Sequence, residues 1–378
     1  MIQNKWIRKI VAIVFPAIVL FLAVFFLILP KELYSEQENR YLTTFPKWEW
    51  KRVQSGKYME DISSYLSDHF PFRDFFIGFK TDVEIWMGKR EINDVYIAAD
   101  DFLIEVYQKP VNSQRISETL KKFYETVKTL GVQETHLMLV PTASYVYGDK
   151  ISQYAPKYNQ METAEMIYEQ TGIPEIDCSE RLLQCKDNDA LYYKTDHHWT
   201  TYGAYQGYLS YCEVKGIEPI ALDMLEAELV TEDFYGTVYS KVNDYDRSGD
   251  CITLYRNPQD CLTVFYTDTE ETTNTLYNME YLEKKDKYSL FLDNLHTLIE
   301  ITNAHADSED VLVLVKDSYA NSMVSFLASH YKKVYVFDTR YYKSGLSEFV
   351  EKHPEVTDVL LLYNMNTIDT DTGIRGIY

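Results

Sequence analysis

The C-terminal part of the sequence alternates apolar runs with helical stretches, and this alternation constrains the fold more than any other feature. Residues 311–315 contain only valine and leucine, and further strand candidates follow at 333–337 and 358–363. Helical segments near 320–331 and 347–352 separate these runs. Parallel strands need a crossover connection, which is usually a helix, so the pattern predicts an α/β fold with a doubly wound parallel sheet.

The preceding sequence supplies further helices and strands of the same kind. Apolar residues from Ile116 to Leu130 recur at helical spacing, and residues 135–140 form an apolar run that ends at Pro141, as a buried strand would. Thr200 or Thr201 is a suitable N-cap for a helix over 202–214. Other helices are expected at 58–87 and 163–170, and short strands at 94–98, 102–106, 173–177, 251–255 and 262–266.

The pattern changes along the chain in a way that predicts its organisation. Residues 1–33 form a cytoplasmic stub and an anchor, and residues 34–110 form the juxtamembrane and N-terminal part of an exported region. Residues 111–378 form the main α/β domain, which we expect to be catalytic. Within it, about 220–303 is irregular and is interpreted as an insertion or a substrate-facing excursion.

The N-terminus contains a candidate membrane span. Residues 10–29 carry no charge and would form a helix of roughly 30 Å, which matches a bilayer core. Lys5, Arg8 and Lys9 precede the span, so the positive-inside rule keeps the N-terminus cytoplasmic and exports the rest. A signal peptide is the alternative, but 27–30 offers no small residues for cleavage. We therefore predict an uncleaved single-pass anchor with an extracytoplasmic domain.

The composition limits the classes of partner and of metal site. The chain has 58 acidic against 37 basic side chains, a net charge of −21, which argues against a nucleic-acid surface. Its 33 tyrosines suit either carbohydrate faces or a core with hydroxyls at the surface. The five cysteines form no CxxC pair, which leaves a zinc ribbon unsupported. Two alternatives stay open for these cysteines: they form the disulfides Cys178–Cys185 and Cys251–Cys261, or they are free thiols.

One short segment, residues 195–200 (TDHHWT), concentrates catalytic residue types. In extended backbone, residues i and i+2 point to one side, so Asp196 and His198 can face one cleft while His197 faces away. Asp196 would then accept the Nδ1 proton of His198 and fix its tautomer. Two other interpretations are adjacent polar surface residues and a metal site. No third or fourth ligand is evident at suitable spacing, so we expect neither a metal nor a cofactor.

A nucleophile candidate lies far downstream at Ser318. It directly follows the apolar run at 311–315 and precedes a helix, and functional crevices of doubly wound sheets lie at the carboxyl ends of strands. Backbone N–H groups at the helix start can face a developing oxyanion. Alternatively, Ser318 is only an N-cap. Together with Asp196 and His198, it would complete an acyl-transfer set.

These residues carry a resemblance to a known family. Residues 195–199 resemble the motif of the DHHW family, relatives of the AlgX and AlgJ alginate O-acetylation proteins. The similarity extends to Glu38-Asn39-Arg40, Phe70-Pro71-Phe72-Arg73-Asp74, Val140-Pro141-Thr142, Asp233-Phe234-Tyr235-Gly236-Thr237, Lys316-Asp317-Ser318-Tyr319 and Asp338-Thr339-Arg340-Tyr341-Tyr342. It therefore covers nearly the whole exported region.

The resemblance implies an SGNH-hydrolase-like domain, circularly rearranged so that the serine follows the Asp-x-His motif. The family triad falls here on Asp196, His198 and Ser318. Arg340 resembles an arginine near that site, where it would orient a substrate carboxylate or acyl oxygen, or else serve as a structural ion-pair partner. The usual Gly and Asn blocks of SGNH enzymes are missing, which leaves Asn321 as a weak candidate for a second oxyanion donor. The remaining expected substrate contacts are Tyr319 and Trp199.

The function implied by the resemblance is an extracytoplasmic O-acetyltransferase. Its acceptor would be a cell-surface or secreted polysaccharide, and its partner a multipass membrane-bound O-acyltransferase that supplies the acyl group. A secreted carbohydrate esterase and a non-catalytic glycan-binding or assembly protein are the alternatives. Transfer and hydrolysis differ only in which hydroxyl reaches the acyl-enzyme, so both stay open.

Overall fold

A computed structural model describes residues 5–187 and 190–377 of the chain. It divides the chain into two compact units. The first comprises Met1–Lys89 with Ser240–Asp246, and the second comprises Arg90–Tyr239 with Arg247–Tyr378.

The first unit is mainly helical. Its elements are α1 (Lys5–Ile28), β1 (Tyr34–Ser35), β2 (Arg40–Tyr41), α2 (Trp50–Gln54), α3 (Lys57–Asp68) and α4 (Arg73–Trp86). The stretch Trp6–Ile28 has a mean hydropathy of 3.2, and by length and composition it can cross a membrane. The single helix predicted over 58–87 is wrong, because it is interrupted between α3 and α4. Pro71 lies in that interruption and cannot donate a helical hydrogen bond, and Phe72 adopts a left-handed φ of 58°.

Ion pairs fix the segment that follows α1. Arg40 donates to both carboxylate oxygens of Asp68 at 2.6 and 3.2 Å, and Arg73 donates to both oxygens of Glu38 at 2.8 and 2.9 Å. The Arg40 guanidinium holds the pKa of Asp68 well below its usual range, against the raising effect of burial. The motif residues around 38–40 and 70–74 therefore organise the first unit.

Among the described residues, the second unit has twelve strands, and seven of them form its main sheet. Its strands are β3 (Glu91–Ile92), β4 (Val95–Ile97), β5 (Leu103–Glu105), β6 (Glu134–Val140), β7 (Glu226–Phe234), β8 (Asp250–Arg256), β9 (Leu262–Tyr266), β10 (Glu271–Thr273), β11 (Leu298–Asn303), β12 (Val311–Lys316), β13 (Lys333–Asp338) and β14 (Asp358–Asn364). The order in the large sheet is β10-β9-β11-β13-β12-β14-β6. Strands β3–β5 form a separate small sheet, and β7 pairs with β8.

Helices cover this sheet. They are α5 (Ser113–Thr129), α6 (Ala143–Val146), α7 (Gln160–Thr171), α8 (Ser179–Cys185), α9 (Thr201–Lys215), α10 (Thr237–Val242, which crosses into the first unit), α11 (Val324–Leu327), α12 (Leu346–Lys352) and α13 (Met365–Thr370). Five short 3₁₀ turns accompany them at Leu222–Met224, Met279–Glu283, Lys287–Leu290, Ser318–Ser322 and Gly373–Gly376. Thr200 caps α9 by accepting a hydrogen bond from Gly203 N at 3.0 Å, in agreement with the predicted helix start.

The predicted parallel sheet is confirmed at its centre. Strands β13, β12, β14 and β6 are parallel neighbours, whereas β11, β9 and β10 extend one edge in antiparallel pairs. These three strands come from residues 262–303. Of the three, β9 was predicted as the short strand at 262–266, whereas β10 and β11 lie in the part of the chain that was expected to be irregular.

The central strands are buried on both faces. In β12, Leu312 and Leu314 belong to one apolar cluster, and Val311, Val313 and Val315 belong to the other. This alternation follows from the two-residue period of a strand, and covered faces on both sides explain why the run lacks polar residues.

Two smaller predictions differ from the structure. The strand expected at 173–177 is reduced to an isolated bridge between Leu137 and Glu175. The long helix expected near 320–331 is a 3₁₀ turn over Ser318–Ser322 followed by the single turn of α11. All five cysteines are free thiols.

Candidate active site

Ser318 lies in a turn that is anchored at the carboxyl end of the sheet. It begins the 3₁₀ turn that follows β12. The preceding Asp317 is 1% exposed, and its Oδ1 accepts the N–H of Tyr319 at 2.9 Å. Its Oδ2 accepts the backbone N–H and the side-chain amide of Asn364, at the end of β14, at 2.7 and 2.6 Å. Burial raises the pKa of Asp317 to about 6, although these donors favour the ionised form. The serine turn is thus fixed to two adjacent strands.

The structure brings Ser318 to the Asp-x-His segment. His198 Nε2 lies 2.7 Å from Ser318 Oγ, and His198 Nδ1 lies 2.5 Å from Asp196 Oδ1. The backbone N–H of His198 also donates to Asp196 Oδ1 at 3.0 Å. A hydroxyl, an imidazole and a carboxylate therefore form one continuous hydrogen-bonded chain.

Asp196 is held by the segment before α10. Its Oδ2 accepts the backbone N–H of Thr237 at 2.7 Å and the Thr237 hydroxyl at 3.0 Å. A Cβ on Gly236 would lie 2.2 Å from the Asp196 Cβ, so only glycine fits there. This close approach explains the Gly-Thr pair in the motif at residues 233–237.

Charges and burial set the protonation of the chain. The Asp196 carboxyl is buried, which alone would raise its pKa, but the adjacent His197 and His198 hold that pKa well below its usual range. Burial, together with the charge of His197, lowers the pKa of His198 to about 4 against the raising effect of Asp196. At neutral pH this gives an ionised carboxylate beside a neutral imidazole that can accept a proton.

His197 does not point away from Asp196, so that prediction is wrong. The His197 and His198 ring centroids are 3.9 Å apart, and His197 Nδ1 lies 3.7 Å from Asp196 Oδ2 and 2.6 Å from Thr237 Oγ1. The segment forms a series of bends instead of extended backbone, so the two-residue period does not apply to it.

Trp199 and Tyr319 join the two halves of the site. The Trp199 indole donates to the Tyr319 carbonyl oxygen at 2.8 Å, and the Tyr319 hydroxyl donates to the His197 carbonyl oxygen. Trp199 and Tyr319 are only 0% and 1% exposed. These predicted substrate contacts therefore have no free surface for a ligand, and both instead hold the Ser318 turn against the histidine segment.

Tyr288 is a further residue of the site, and no motif in the sequence marks it. Its ring stacks on the His198 ring, with centroids 3.8 Å apart and planes inclined by 10°. Its hydroxyl donates to the Ser318 carbonyl oxygen at 3.0 Å. Tyr288 is 5% exposed and lies in the 220–303 region, so this region completes the wall behind the histidine. Only a three-dimensional arrangement could distinguish it among so many tyrosines.

Arg340 is engaged by a neighbouring acid. Its Nε and Nη2 donate to the two oxygens of Asp338 at 2.9 and 2.5 Å, and its side chain remains 36% exposed. Asp338 also lies 3.8 Å from the buried Lys316 ammonium. The Asp338 carboxylate raises the pKa of Arg340 above its usual value. Of the two predicted roles, the ion pair is present, and part of the guanidinium stays accessible.

The oxyanion candidates differ in their availability. Asn321 is 6% exposed, and its atom without a hydrogen-bond partner among the described residues is Oδ1, which is an acceptor and cannot stabilise an oxyanion. The Tyr319 N–H is already used by Asp317. The Ser318 N–H forms no hydrogen bond within 5–187 and 190–377, so it is free to meet a bound oxygen.

The ligand atoms of Asp196, His197 and His198 lie within 4.8 Å of one another, which would permit a metal ion. However, both ring nitrogens of His198 and both oxygens of Asp196 already have hydrogen-bond partners. A metal bound by these atoms would have to displace at least one of these hydrogen bonds, so the donor set fits proton transfer better than metal binding.

Comparison with known proteins assigns the family. The model of the family described as DHHW protein matches residues 94–337. The chain belongs to the DHHW family. Its defining letters fall on Asp196, His197, His198 and Trp199, so the resemblance deduced from the motifs is confirmed.

Two solved structures share the fold of this DHHW protein, and a third is more weakly similar. A DHHW family protein from Eubacterium siraeum superimposes with a TM-score of 0.64 and 23% identity, covering 76% of this chain and 95% of that chain. PatB1 of Bacillus cereus, in a structure with a sulfonyl adduct, gives 0.62 and 19%, covering 75% and 98%. The O-acetyltransferase domain of Pseudomonas putida AlgJ gives 0.46 and 13%, covering 73% and 92%. None of the curated proteins compared with the chain matches it.

Proposed function

We propose that this DHHW protein is a membrane-anchored, extracytoplasmic O-acyltransferase that moves an acetyl group to a polysaccharide hydroxyl. The observation that carries the proposal is the Ser318–His198–Asp196 chain of hydrogen bonds, whose partners are 120 residues apart in the sequence. Serine, histidine and aspartate in this order are the parts of an acyl-enzyme mechanism.

In the first half-reaction, Ser318 becomes acetylated. His198 Nε2 takes the Oγ proton as Oγ bonds to the acetyl carbonyl carbon, and Asp196 stabilises the imidazolium that forms. When the tetrahedral intermediate collapses, the bond to the donor oxygen or sulfur breaks, and His198 returns the proton to that leaving group. The Ser318 N–H donates to the carbonyl oxygen as negative charge develops there.

In the second half-reaction, the acceptor repeats these steps in reverse. A sugar hydroxyl gives its proton to His198 Nε2 and bonds to the acetyl carbon. The ester bond to Ser318 then breaks, and Oγ regains the proton from His198. Arg340, whose guanidinium is partly exposed, orients the acyl oxygen or an acidic group of the acceptor.

The anchor determines where the acetyl group has to come from. With α1 in the membrane and the positive N-terminal flank inside, the triad lies outside the cell, where acetyl-CoA is absent. A multipass membrane-bound O-acyltransferase is therefore the proposed donor partner. The same acyl-enzyme would make the chain an esterase if water replaced the sugar.

Transfer and hydrolysis are separated by adding an acceptor. Full-length protein in detergent is given a chromogenic acetate ester, with and without a mixture of cell-surface oligosaccharides. We expect acetylated sugar to accumulate while free acetate per ester cleaved decreases, because the sugar competes with water for the same acyl-enzyme. Ser318→Ala protein is the control for non-enzymatic acetylation. Ester cleavage that yields only acetate at every sugar concentration would contradict transfer and support the esterase.

Tyr288 is proposed to position His198 and shield it from water. Replacement by alanine hydrates the imidazole, so the pKa of His198 should rise from about 4 towards the ordinary 6.5. Activity is lost as the pH falls through this pKa, so the acid limb of the kcat/KM profile should move to higher pH. Tyr288→Phe keeps the stacked ring, so the acid limb of its kcat/KM profile should stay at the pH found for the unmodified protein. A Tyr288→Ala variant with reduced activity but an unmoved acid limb would show that the ring is only structural.

A further inference from the structure

Helix α4 of the first unit has two unlike faces. Gly78 and Thr81 are buried, and they contact the segment 240–246: a Cβ on Gly78 would lie 2.7 Å from the Tyr245 ring, and Thr81 Oγ1 donates to the Val242 carbonyl oxygen at 3.0 Å. This small-residue face seats the helix on its own unit.

The outward face of α4 is aromatic and exposed. Three phenylalanines and a tryptophan of α4 occupy an arc of about 100° on a helical wheel, a fourth phenylalanine directly precedes the helix, and all five are between 45% and 85% exposed. They are Phe72, Phe75, Phe76, Phe79 and Trp86. An apolar stripe of this extent on one helix indicates a surface that is covered by something other than water. We call these five residues the aromatic stripe.

Contacts with α1 place one end of the stripe beside the membrane span. The Phe72 ring lies 5.4 Å from the Phe25 ring and 6.4 Å from the Phe21 ring, measured between centroids. Phe25 and Phe21 lie three and seven residues before Ile28, where α1 ends. At 1.5 Å per residue these positions are about 5 and 10 Å inside the helix end, which is the depth reached by interfacial amphipathic helices.

A second contact and the charge distribution agree with this placement. The Tyr65 ring of α3 meets the Phe26 ring edge-on at 6.2 Å. Trp48 and Trp50 nearby in the sequence are 66% and 64% exposed, and tryptophan is typical of membrane–water interfaces. Residues 30–89 carry nine basic and ten acidic side chains, whereas 90–378 carry 25 and 48. The part of the chain that directly follows the span, residues 30–89, is therefore nearly neutral. An anionic leaflet would repel it less than the acidic remainder of the chain.

We propose that the aromatic stripe is inserted in the outer leaflet of the bilayer that α1 spans, with lipid as its occupant. The first unit is then held by a span and by an interfacial helix. The inference rests on the anchor in the proposed function, and it is independent of the chemistry at Ser318.

Photo-crosslinking of the full-length chain tests the lipid contact. Benzoylphenylalanine replaces Phe75 or Phe79, the chain is reconstituted in phosphatidylglycerol–phosphatidylcholine vesicles, and products are identified by mass spectrometry. Phe15 in α1, which is 66% exposed, is the probe for the span. Ser63 of α3 is the matched surface control, because it is exposed and lies about 200° from Tyr65 around the helix. We expect lipid adducts at Phe15, Phe75 and Phe79, with a yield several-fold lower at Ser63.

Each other outcome has a definite meaning. In one such outcome, Phe15 gives lipid adducts, but Phe75 and Phe79 give either crosslinked dimers or no lipid product. This would overturn the lipid contact of the aromatic stripe and leave the anchor intact. No lipid adduct at Phe15 would overturn both the anchor and the inference. At Phe15, Phe75 and Phe79 the probe replaces one aromatic ring by another, so the fold should be retained there, and the circular dichroism spectrum of each labelled protein, including the one labelled at Ser63, checks this.

Discussion

Ser318→Ala is expected to lower kcat for acetate-ester cleavage by about 10³-fold or more and to abolish acetyl transfer, because it removes the hydroxyl that is proposed to carry the acetyl group. The expected loss is in kcat, since Oγ acts on the reacting carbon and contributes little to ground-state binding. The substitution removes one oxygen from a turn fixed by Asp317 and Asn364, so the fold should be unchanged. Steady-state kinetics on the purified protein measure the effect.

Ser325→Ala is the matched control for this variant. Ser325 lies in α11, a few residues after the serine turn, and the substitution is chemically identical. It should retain activity close to that of the unmodified chain. If Ser318→Ala also retained near-normal ester cleavage, or if both variants lost it equally, the nucleophile would have to be assigned elsewhere.

Asp196→Asn is expected to have the second largest effect, a loss of roughly 10²- to 10⁴-fold in kcat. The carboxylate accepts hydrogen bonds from the His198 ring, the His198 N–H and the Thr237 N–H. An amide of the same shape presents an NH₂ to one of these donors and no longer stabilises the imidazolium. The imidazole then favours the wrong tautomer for accepting the Ser318 proton, although the Ser318 hydroxyl itself remains in place.

Asp233→Asn is the control for charge removal. Asp233 belongs to β7, close in sequence to the Gly-Thr pair that holds Asp196, but its side chain is exposed. Its substitution should leave kcat unchanged. Equal activity of the Asp196→Asn protein and the Asp233→Asn protein would contradict a role of Asp196 in proton transfer.

Local sequence predicted the parts of the structure that depend on local physics. The apolar run in β12 reveals a strand buried on both faces, and the cap at Thr200 marks the start of α9. The Asp196–His198 pairing was also predicted, although the extended backbone from which it was derived is replaced by a series of bends. These features need only a few neighbouring residues.

Features that depend on distant residues were not predicted. The orientation of His197 is set by Thr237, some forty residues later, and the stacking of Tyr288 on His198 requires the whole 220–303 region to fold back. The same holds for Trp199 and Tyr319, which look like ligand contacts in the sequence but are buried against each other. The edge strands β10 and β11 were not predicted, because β10 is only three residues long and the alternation of buried and half-buried residues in β11 extends over only six residues.

The most direct test of the account is to trap the acyl-enzyme. Full-length protein is mixed with an acetate ester, quenched in acid within the first turnover, digested and mapped by mass spectrometry. We predict one acetyl group on the peptide that contains Ser318, with none on Ser318→Ala protein and less after a chase with sugar acceptor. An acetyl group on any other residue, or ester turnover with no acetylated peptide at any time, would contradict the assignment of Ser318 as the residue that carries the acyl group.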